Sequence, residues 1–316
     1  MRRVALIYNP ASGQQSSRHR AAIDKVLATL HAVGIETQAL ETRGPGDASA
    51  RAWEAIHAGC DTILACGGDG TVHEVLQSLV GTRIALGVIP LGTANALAQD
   101  LGLGTSPSRA IRKLLAATPV RVSVGHITFR KGKGKLHSRY FTVAAGVGAD
   151  ALFLSHLDAG LKRRFGYALY FFEGVRLWAT HSFPLFQATF FERGSSEPRV
   201  EEISQLLAVR IRNFGGVLHN FAPGATLHAD GLRLIAFRTR SRLRYFRFLL
   251  AVIFGRQTFS RDIELLDAVS VECRLRDGAP VPVFAEADGE LLGHLPVHID
   301  IVPDAVTLLI PPGARP

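Results

Sequence analysis

The stretch Cys66 to Val75, CGGDGTVHEV, sets one carboxylate among three glycines directly after the apolar run Thr62 to Ala65. Glycine can take positive φ and lets main-chain amides approach a phosphate that a Cβ would hold off, and a helix opening at Thr71 aims free N–H groups the same way. Gly67, Gly68, Gly70 and Thr71 therefore read as a phosphate cradle, with Asp69 able to meet a phosphate-bound cation. The same residues also make an ordinary strand-to-helix turn capped by Asp69, and the loop alone does not choose between the two. A second candidate lies near the C-terminus, where Asp288-Gly289-Glu290 offers two carboxylates for proton transfer. Asp-Gly between two alternating runs is equally a two-residue hairpin turn, and a carboxylate on such a turn is both well held and exposed.

Two more polar loops accompany the first. Val4 to Tyr8 is an apolar strand followed by Asn9-Pro10-Ala11-Ser12-Gly13, and Ile84 to Ile89 is another, followed by Pro90-Leu91-Gly92-Thr93-Ala94-Asn95. Loops at the carboxyl ends of parallel strands face one crevice. The periodicity places strands at 3–8, 35–40, 62–66 and 84–89, alternating with helices at 18–33, 47–58, 71–80, 94–101 and 107–116. That order predicts βα units and a parallel sheet.

After Pro119 the pattern changes to alternating runs at 120–129, 139–145, 185–191, 203–211, 232–237, 260–266, 269–275, 281–287, 297–302 and 306–310, with helices near 165–179 and 243–254. These read as mostly antiparallel strands. The expected architecture is thus α/β plus β: a nucleotide-binding parallel α/β domain over 1–120 and an antiparallel β-sandwich domain over 121–316, which would receive the substrate. The basic stretch Arg130 to Lys135, with two glycines, is expected as an exposed hairpin tip.

A chain of 316 residues with 47% hydrophobic and 20% charged content is long enough for two cored domains. No apolar stretch reaches the roughly 18 residues of a membrane span, and Met1-Arg2-Arg3 runs straight into a strand rather than a signal peptide. The three cysteines, Cys60, Cys66 and Cys273, lack CxxC spacing and read as reduced thiols of a cytoplasmic protein.

The net charge of +9 points to an anionic partner. Arginines at 238, 240, 242, 244 and 247 interleave with Tyr245, Phe246 and Phe248, and Lys162, Arg163 and Arg164 precede the aromatic stretch Phe165 to Trp178. At an anionic bilayer each nearby Arg or Lys contributes about 1 kcal/mol, and aromatics settle at the interface, so both segments are candidates for peripheral membrane docking. An amphipathic helix with a solvated arginine face reads the same way. Nucleic acid is not the expected partner, and a homodimer is compatible with the composition.

The set NPASG, GGDGTVHEV and PLGTANALAQDLG, followed by Gly146-Val147-Gly148-Ala149-Asp150, Asn213-Phe214-Gly215-Gly216, Ala222-Pro223-Gly224-Ala225, Asp230-Gly231-Leu232 and Ala287-Asp288-Gly289-Glu290, resembles the diacylglycerol-kinase catalytic domain family, which includes bacterial lipid kinases and sphingosine and ceramide kinases. The resemblance covers nearly the whole chain. It implies an NAD kinase/diacylglycerol kinase-like fold and an ATP-dependent lipid kinase, with Mg²⁺ as the second cofactor and a lipid substrate entering between the domains. By resemblance, Asn9 to Gly13, Gly68 to Glu74, Thr93 and Thr42 surround the nucleotide, joined by Gly67 and Asn95 of the same loops. Asp288 is then the proton acceptor, with Glu290 as a second site carboxylate and Asp69 as the rival base.

Lysine is absent from these loops and there is no Walker A sequence, so charge neutralisation falls to amides and Mg²⁺. Several residues depart from the family pattern. Ala96 and Gln99 replace Asp or His and Arg, His73 replaces a common Asn, and Ala229 precedes Asp230 where some members have a second Asp. In bacterial members that turn holds a structural Mg²⁺. A single carboxylate at Asp230 implies a weaker or missing site, and Asp230-Gly231 alone reads as a turn. His73 has no metal-ligand spacing to other histidines and defaults to a structural role. The alternatives are an NAD kinase, which would carry an Asn-Glu pair absent from this chain, and a non-catalytic nucleotide-gated lipid-binding protein.

Overall fold

The computed structural model describes residues 1–10, 16–131, 134–149, 151, 183–215, 221–256, 259–276 and 282–314, with backbone only at 16–18. The first third alternates β1 (Arg3–Tyr8), α1 (Ser16–Ala32), β2 (Glu36–Glu41), α2 (Asp47–His57), β3 (Thr62–Gly67), α3 (Asp69–Leu79), β4 (Ala85–Pro90), α4 (Ala96–Asp100) and α5 (Pro107–Leu115). β1 pairs in parallel with β2 and β3, and β3 with β4, giving the order β2-β1-β3-β4. Strands β3 and β4 are buried at every residue, as expected where helices cover both faces of a parallel sheet. α1 packs with α5 and α2 with α3. The order reverses at β1, which puts a crevice at the carboxyl ends of β1 and β3.

The rest is mostly antiparallel: β5 (Thr118–Lys131), β6 (Lys135–Phe141), β7 (Ala144–Val147), β8 (Phe186–Phe191), β9 (Arg199–Ile203), β10 (Gln205–Val209), β11 (Leu232–Phe237), α6 (Arg242–Ile253), β12 (Ile263–Ala268), β13 (Ser270–Arg274), β14 (Phe284–Ala287) and β15 (Glu290–Ile310). One layer runs β12-β11-β10-β7-β14-β15, and the other is built from β6-β5-β15-β13-β8-β9. Between them Ile127, Phe141, Phe186, Phe190, Leu206, Leu234, Val271 and Ile299 form a sandwich core at complete burial. The expected two-part architecture, parallel α/β followed by an antiparallel sandwich, is what the chain adopts.

One strand runs through both halves. β15 is antiparallel to β5 along its length, while its far end joins β4 in parallel through Thr307 and Leu308. Val306, Leu308 and Leu309 are therefore buried with Val4 to Ile7 in the first core. The runs 297–302 and 306–310, expected as separate strands, are one strand with shifts of register between His294 and Val297 and between Val302 and Val306. Conversely, the single run expected over 139–145 is two strands, β6 and β7, with a break at Thr142 and Val143. The amides of that break donate to a side chain, described below, instead of to a neighbouring strand. The 130–135 hairpin closes with Lys131 paired to Lys135, while the tip at 132–133 lies outside the described residues. The helix expected near 165–179 and the Lys162 to Arg164 cluster lie outside the described residues.

Candidate active site

The glycine loop and the Gly92 loop touch through bare backbone. A Cβ on Gly92 would lie 2.4 Å from the Cα of Gly68, and one on Gly67 would lie 2.4 Å from Thr71 Oγ1. Asn95 locks the second loop: held at φ 50, it accepts from the Gly92 amide at 2.9 Å and donates to the Gly92 carbonyl at 2.7 Å. Asp69 opens α3, and its Oδ1 accepts the amide of Ala96 at 2.7 Å, so one carboxylate ties the start of α3 to the start of α4. Burial pushes the Asp69 carboxyl above its usual range, against the pull of the Ala96 and Asn95 amides, and the nearby Asp288 charge adds to the rise.

Most of the other expected nucleotide residues gather at the same edge. Asn9 follows β1 with its amide on the Cys66 carbonyl at 3.4 Å, and the Thr42 amide donates to the Tyr8 carbonyl at 2.9 Å. Pro10 and Thr93 are exposed, Thr71 is buried, and Gly70 has open space where a Cβ would stand. Ala11, Ser12 and Gly13 lie outside the described residues. Glu74 is engaged elsewhere, its carboxylate accepting the amides of Gly46 at 2.7 Å and Ala48 at 3.0 Å and so capping the start of α2.

Asp288 and Gly289 form the β14–β15 hairpin turn, at φ 48 and 82. Asn, Asp and Gly are the residues that tolerate such left-handed pairs. The Asp288 carboxylate fills the break between β6 and β7. Oδ1 accepts Val143 N at 2.9 Å and Ala144 N at 3.0 Å, while Oδ2 accepts Thr142 N at 3.0 Å and the Thr142 hydroxyl at 3.5 Å. Its side chain is only 3% exposed.

His73, on the second turn of α3, sits between the two carboxylates of the hairpin. Its Nδ1 is 3.4 Å from Asp288 Oδ2 and its Nε2 3.2 Å from Glu290 Oε2. The ring is 2% exposed, whereas Glu290 is 54% exposed. Burial alone would pull the imidazole down, but Asp288 and Glu290 overcome it and raise His73 to about 9. Glu290 is held below the usual range, chiefly by the bond to His73, with Arg139 and Lys131 adding to it. His73 is the residue to which the sequence alone assigns no function. The available signal was its position four residues after Asp69, on the same face of one helix.

The two expected Mg²⁺ positions differ in fit. Asp69 stands among loop amides, those of Ala96 and Asn95 among its partners, which suits a cation that arrives on a phosphate and keeps part of its water shell. At Asp230 the residues do not fit one. Ser123 Oγ donates to Asp230 Oδ1 at 2.6 Å. The buried Arg210 guanidinium donates to the carbonyls of Gly231 at 2.5 Å and of Ser123 and Leu227 at 3.1 Å each. Burial lowers Arg210 to about 10, with Asp230 opposing the fall. An arginine thus gathers the carbonyls beside Asp230, and its charge disfavours a cation there, in keeping with the weaker or missing site that a single carboxylate implies.

α6 packs Phe248 and Val252 onto the third buried cluster, beside Phe237 and Ile263. Its outer side carries Leu243, Phe246, Leu249, Ile253 and Phe254, all exposed. Arg244 pairs with Asp262. Among the described residues no helix is long and apolar enough to cross a membrane.

Comparison with known proteins agrees with this arrangement. The diacylglycerol kinase catalytic domain matches residues 3–127, and the YegS C-terminal NAD kinase beta sandwich-like domain matches residues 143–310. A diacylglycerol kinase of Bacillus subtilis (strain 168) is 28% identical over 96% of this chain and 96% of its own length. A Chromohalobacter salexigens protein named "Probable lipid kinase YegS-like" is 30% identical over 98% of this chain and 93% of its own. In fold, the chain superposes on a diacylglycerol kinase from Bacillus anthracis str. Sterne with a TM-score of 0.70 at 19% identity, covering 99% and 98% of the two chains. A yeast NADH kinase complexed with NADH is more distant, at a TM-score of 0.51 and 10% identity over 98% and 83%. With both halves matched, in order and over nearly its full length, the chain belongs to the diacylglycerol kinase family of lipid kinases.

Proposed function

We propose that this protein transfers the γ-phosphate of Mg·ATP to the hydroxyl of a lipid at a membrane surface. One observation carries the reading: His73, on the helix that opens at the glycine loop, touches both carboxylates of the β14–β15 turn. The group that would meet the nucleotide's cation, Asp69, and the groups that would meet the acceptor, Asp288 and Glu290, therefore line one cleft. Phosphoryl transfer needs little more than such positioning: a cradle for the donor phosphates, a cation, and a carboxylate near the attacking hydroxyl. Mg²⁺, when bound with the nucleotide, would shield charge on the transferring phosphoryl group, and Asp69 is the residue placed to hold it. The loop amides around Gly68, Gly70 and Gly92 supply the dipoles that lysines supply in other kinases. The apolar outer side of α6, with Arg242 and Arg247 on the same helix, suits peripheral attachment to an anionic bilayer, where the lipid acceptor resides.

The deciding experiment is transfer of labelled γ-phosphate from Mg·ATP to a panel of diacylglycerol, sphingoid base, ceramide, phosphatidylglycerol and polyprenol in mixed micelles, with NAD as a soluble acceptor. Phosphorylation of one lipid class supports the reading. Phosphorylation of NAD alone replaces it with an NAD kinase, and ATP binding without transfer to any acceptor replaces it with a nucleotide-gated lipid-binding protein.

A further inference from the structure

The parallel sheet has a second concave end, at the starts of its strands. Thr62 of β3 stands opposite Ala85 of β4, and Ala85 opposite Thr307 of β15. Side chains of residues directly opposite one another point to the same face, so three short side chains lie abreast there. Such a row leaves space beneath whatever covers it. Leu115 at the end of α5, Ala117 just beyond, Leu309 and Ile35 wall a cavity of about 370 Å³ over this row. That volume falls in the range of small-molecule sites. Along β3, at about 3.3 Å per residue, the cavity is about 17 Å from the glycine loop.

Two charged side chains, Asp61 and Arg83, stand at its mouth. Asp61 is committed to the protein. Its Oδ2 accepts the Arg2 amide at 2.7 Å and the Arg3 amide at 3.4 Å, and its Oδ1 accepts the Thr62 hydroxyl at 2.7 Å. Arg121, which reaches Thr307 Oγ1 at 3.4 Å from β5, is already paired with Asp304. Arg83 is exposed and has no hydrogen-bond or ion-pair partner among the described residues.

We infer that this cavity binds a small monocarboxylate with a short apolar tail, the tail lying against Leu115, Leu309 and Ile35 and the head on Arg83. The planar guanidinium offers two parallel N–H groups to the two oxygens of a carboxylate. A singly charged head fits better than a phosphate dianion, because the Asp61 charge at the same mouth opposes every added negative charge and one arginine offsets only one. The site is separate from the phosphoryl-transfer cleft and does not depend on the kinase reading. Its floor is shared by β3, β4 and β15, the seam where the strand common to both halves joins the parallel sheet. An occupant bound only to the folded state therefore stabilises that join by mass action.

The experiment titrates the full chain with octanoate, octanol and acetate, read by NMR of the Ile35, Leu115 and Leu309 methyls and by thermal melting. Octanoate is expected to shift all three methyls saturably and to raise the melting temperature. Octanol, with the same tail and no charge, is expected to bind about fivefold more weakly, and acetate, with the charge and no tail, not to saturate. Arg83→Gln should melt as wild type does without ligand and bind octanoate about fivefold more weakly, with octanol unaffected. Ala117→Phe, which fills the cavity, should abolish the saturable shifts. Equal affinity for octanoate and octanol, or full octanoate affinity in Arg83→Gln, overturns the assignment of a carboxylate to Arg83. Saturable octanoate shifts confined to methyls of the phosphoryl-transfer cleft overturn the site itself, as does the absence of any saturable shift.

Discussion

The Asp288 carboxylate occupies the gap between β6 and β7, and His73 from the opposite half of the molecule closes over it at 3.4 Å. The backbone of the sandwich domain and the helix of the glycine loop are therefore joined through one buried side chain. The contact couples the packing of the two halves to the geometry of the cleft.

Removing that carboxylate should cost stability first. In Asp288→Ala the amides of Thr142, Val143 and Ala144 lose their acceptor inside the protein. Unsatisfied buried donors cost about 1–3 kcal/mol each before relaxation, so urea denaturation should show a loss of at least about 2 kcal/mol. A midpoint equal to wild type would show that the break between the strands is held by something else.

The charge on His73 makes stability depend on pH. Its folded value of about 9 lies above the ordinary histidine value of 6.5, so its contribution is complete below pH 6.5 and is lost as pH rises through 9. The size is at most about 3 kcal/mol by linkage. Unfolding free energies at pH 6 and pH 9.5 should differ more in wild type than in His73→Gln, and equal slopes in the two proteins would refute this.

Gly92 and Gly70 separate packing from ligand approach. Gly92→Ala drives a Cβ into the Gly68 backbone and should lower stability by about 1–3 kcal/mol. Gly70→Ala meets open space and should melt as wild type does, yet weaken ATP binding by about tenfold or more if phosphates approach the amides there. Thermal melting checks the first and calorimetric titration with ATP the second, where full affinity in Gly70→Ala would move the phosphates elsewhere.

Arg210 is expected to replace a structural metal. Wild-type melting should be unchanged by EDTA, while Arg210→Met should lose about 1–3 kcal/mol by leaving three carbonyls without their donor. A large drop in melting temperature on chelation would reinstate a bound cation.

The outer side of α6 makes a separable prediction. Leu243→Ser with Phe246→Ser and Arg247→Glu should reduce sedimentation with phosphatidylglycerol vesicles several-fold while preserving phosphorylation of a short-chain acceptor dispersed in detergent. Unchanged sedimentation would place membrane attachment on another surface.

The local parts of the site were legible in the chain because they depend on short-range chemistry. Glycine at 67, 68, 70 and 92, the apolar strands before them and the Asp-Gly turn at 288 each follow from φ preferences and side-chain period over a few residues. The change from βα alternation to antiparallel strands near Pro119 was legible for the same reason. The long-range pairings were not, because no local pattern tells a side chain which distant backbone it will meet. Asp288 filling the break at Thr142 and Val143, His73 set between two carboxylates, Glu74 capping α2 and Arg210 gathering three carbonyls all arise where separate elements pack. The sequence by itself thus determined which residues can do chemistry and on what kind of element each sits. Only the tertiary structure decided which carboxylate is buried and spent on amides and which is left open to a substrate, because burial and lone-pair occupancy exist only after the strands have paired.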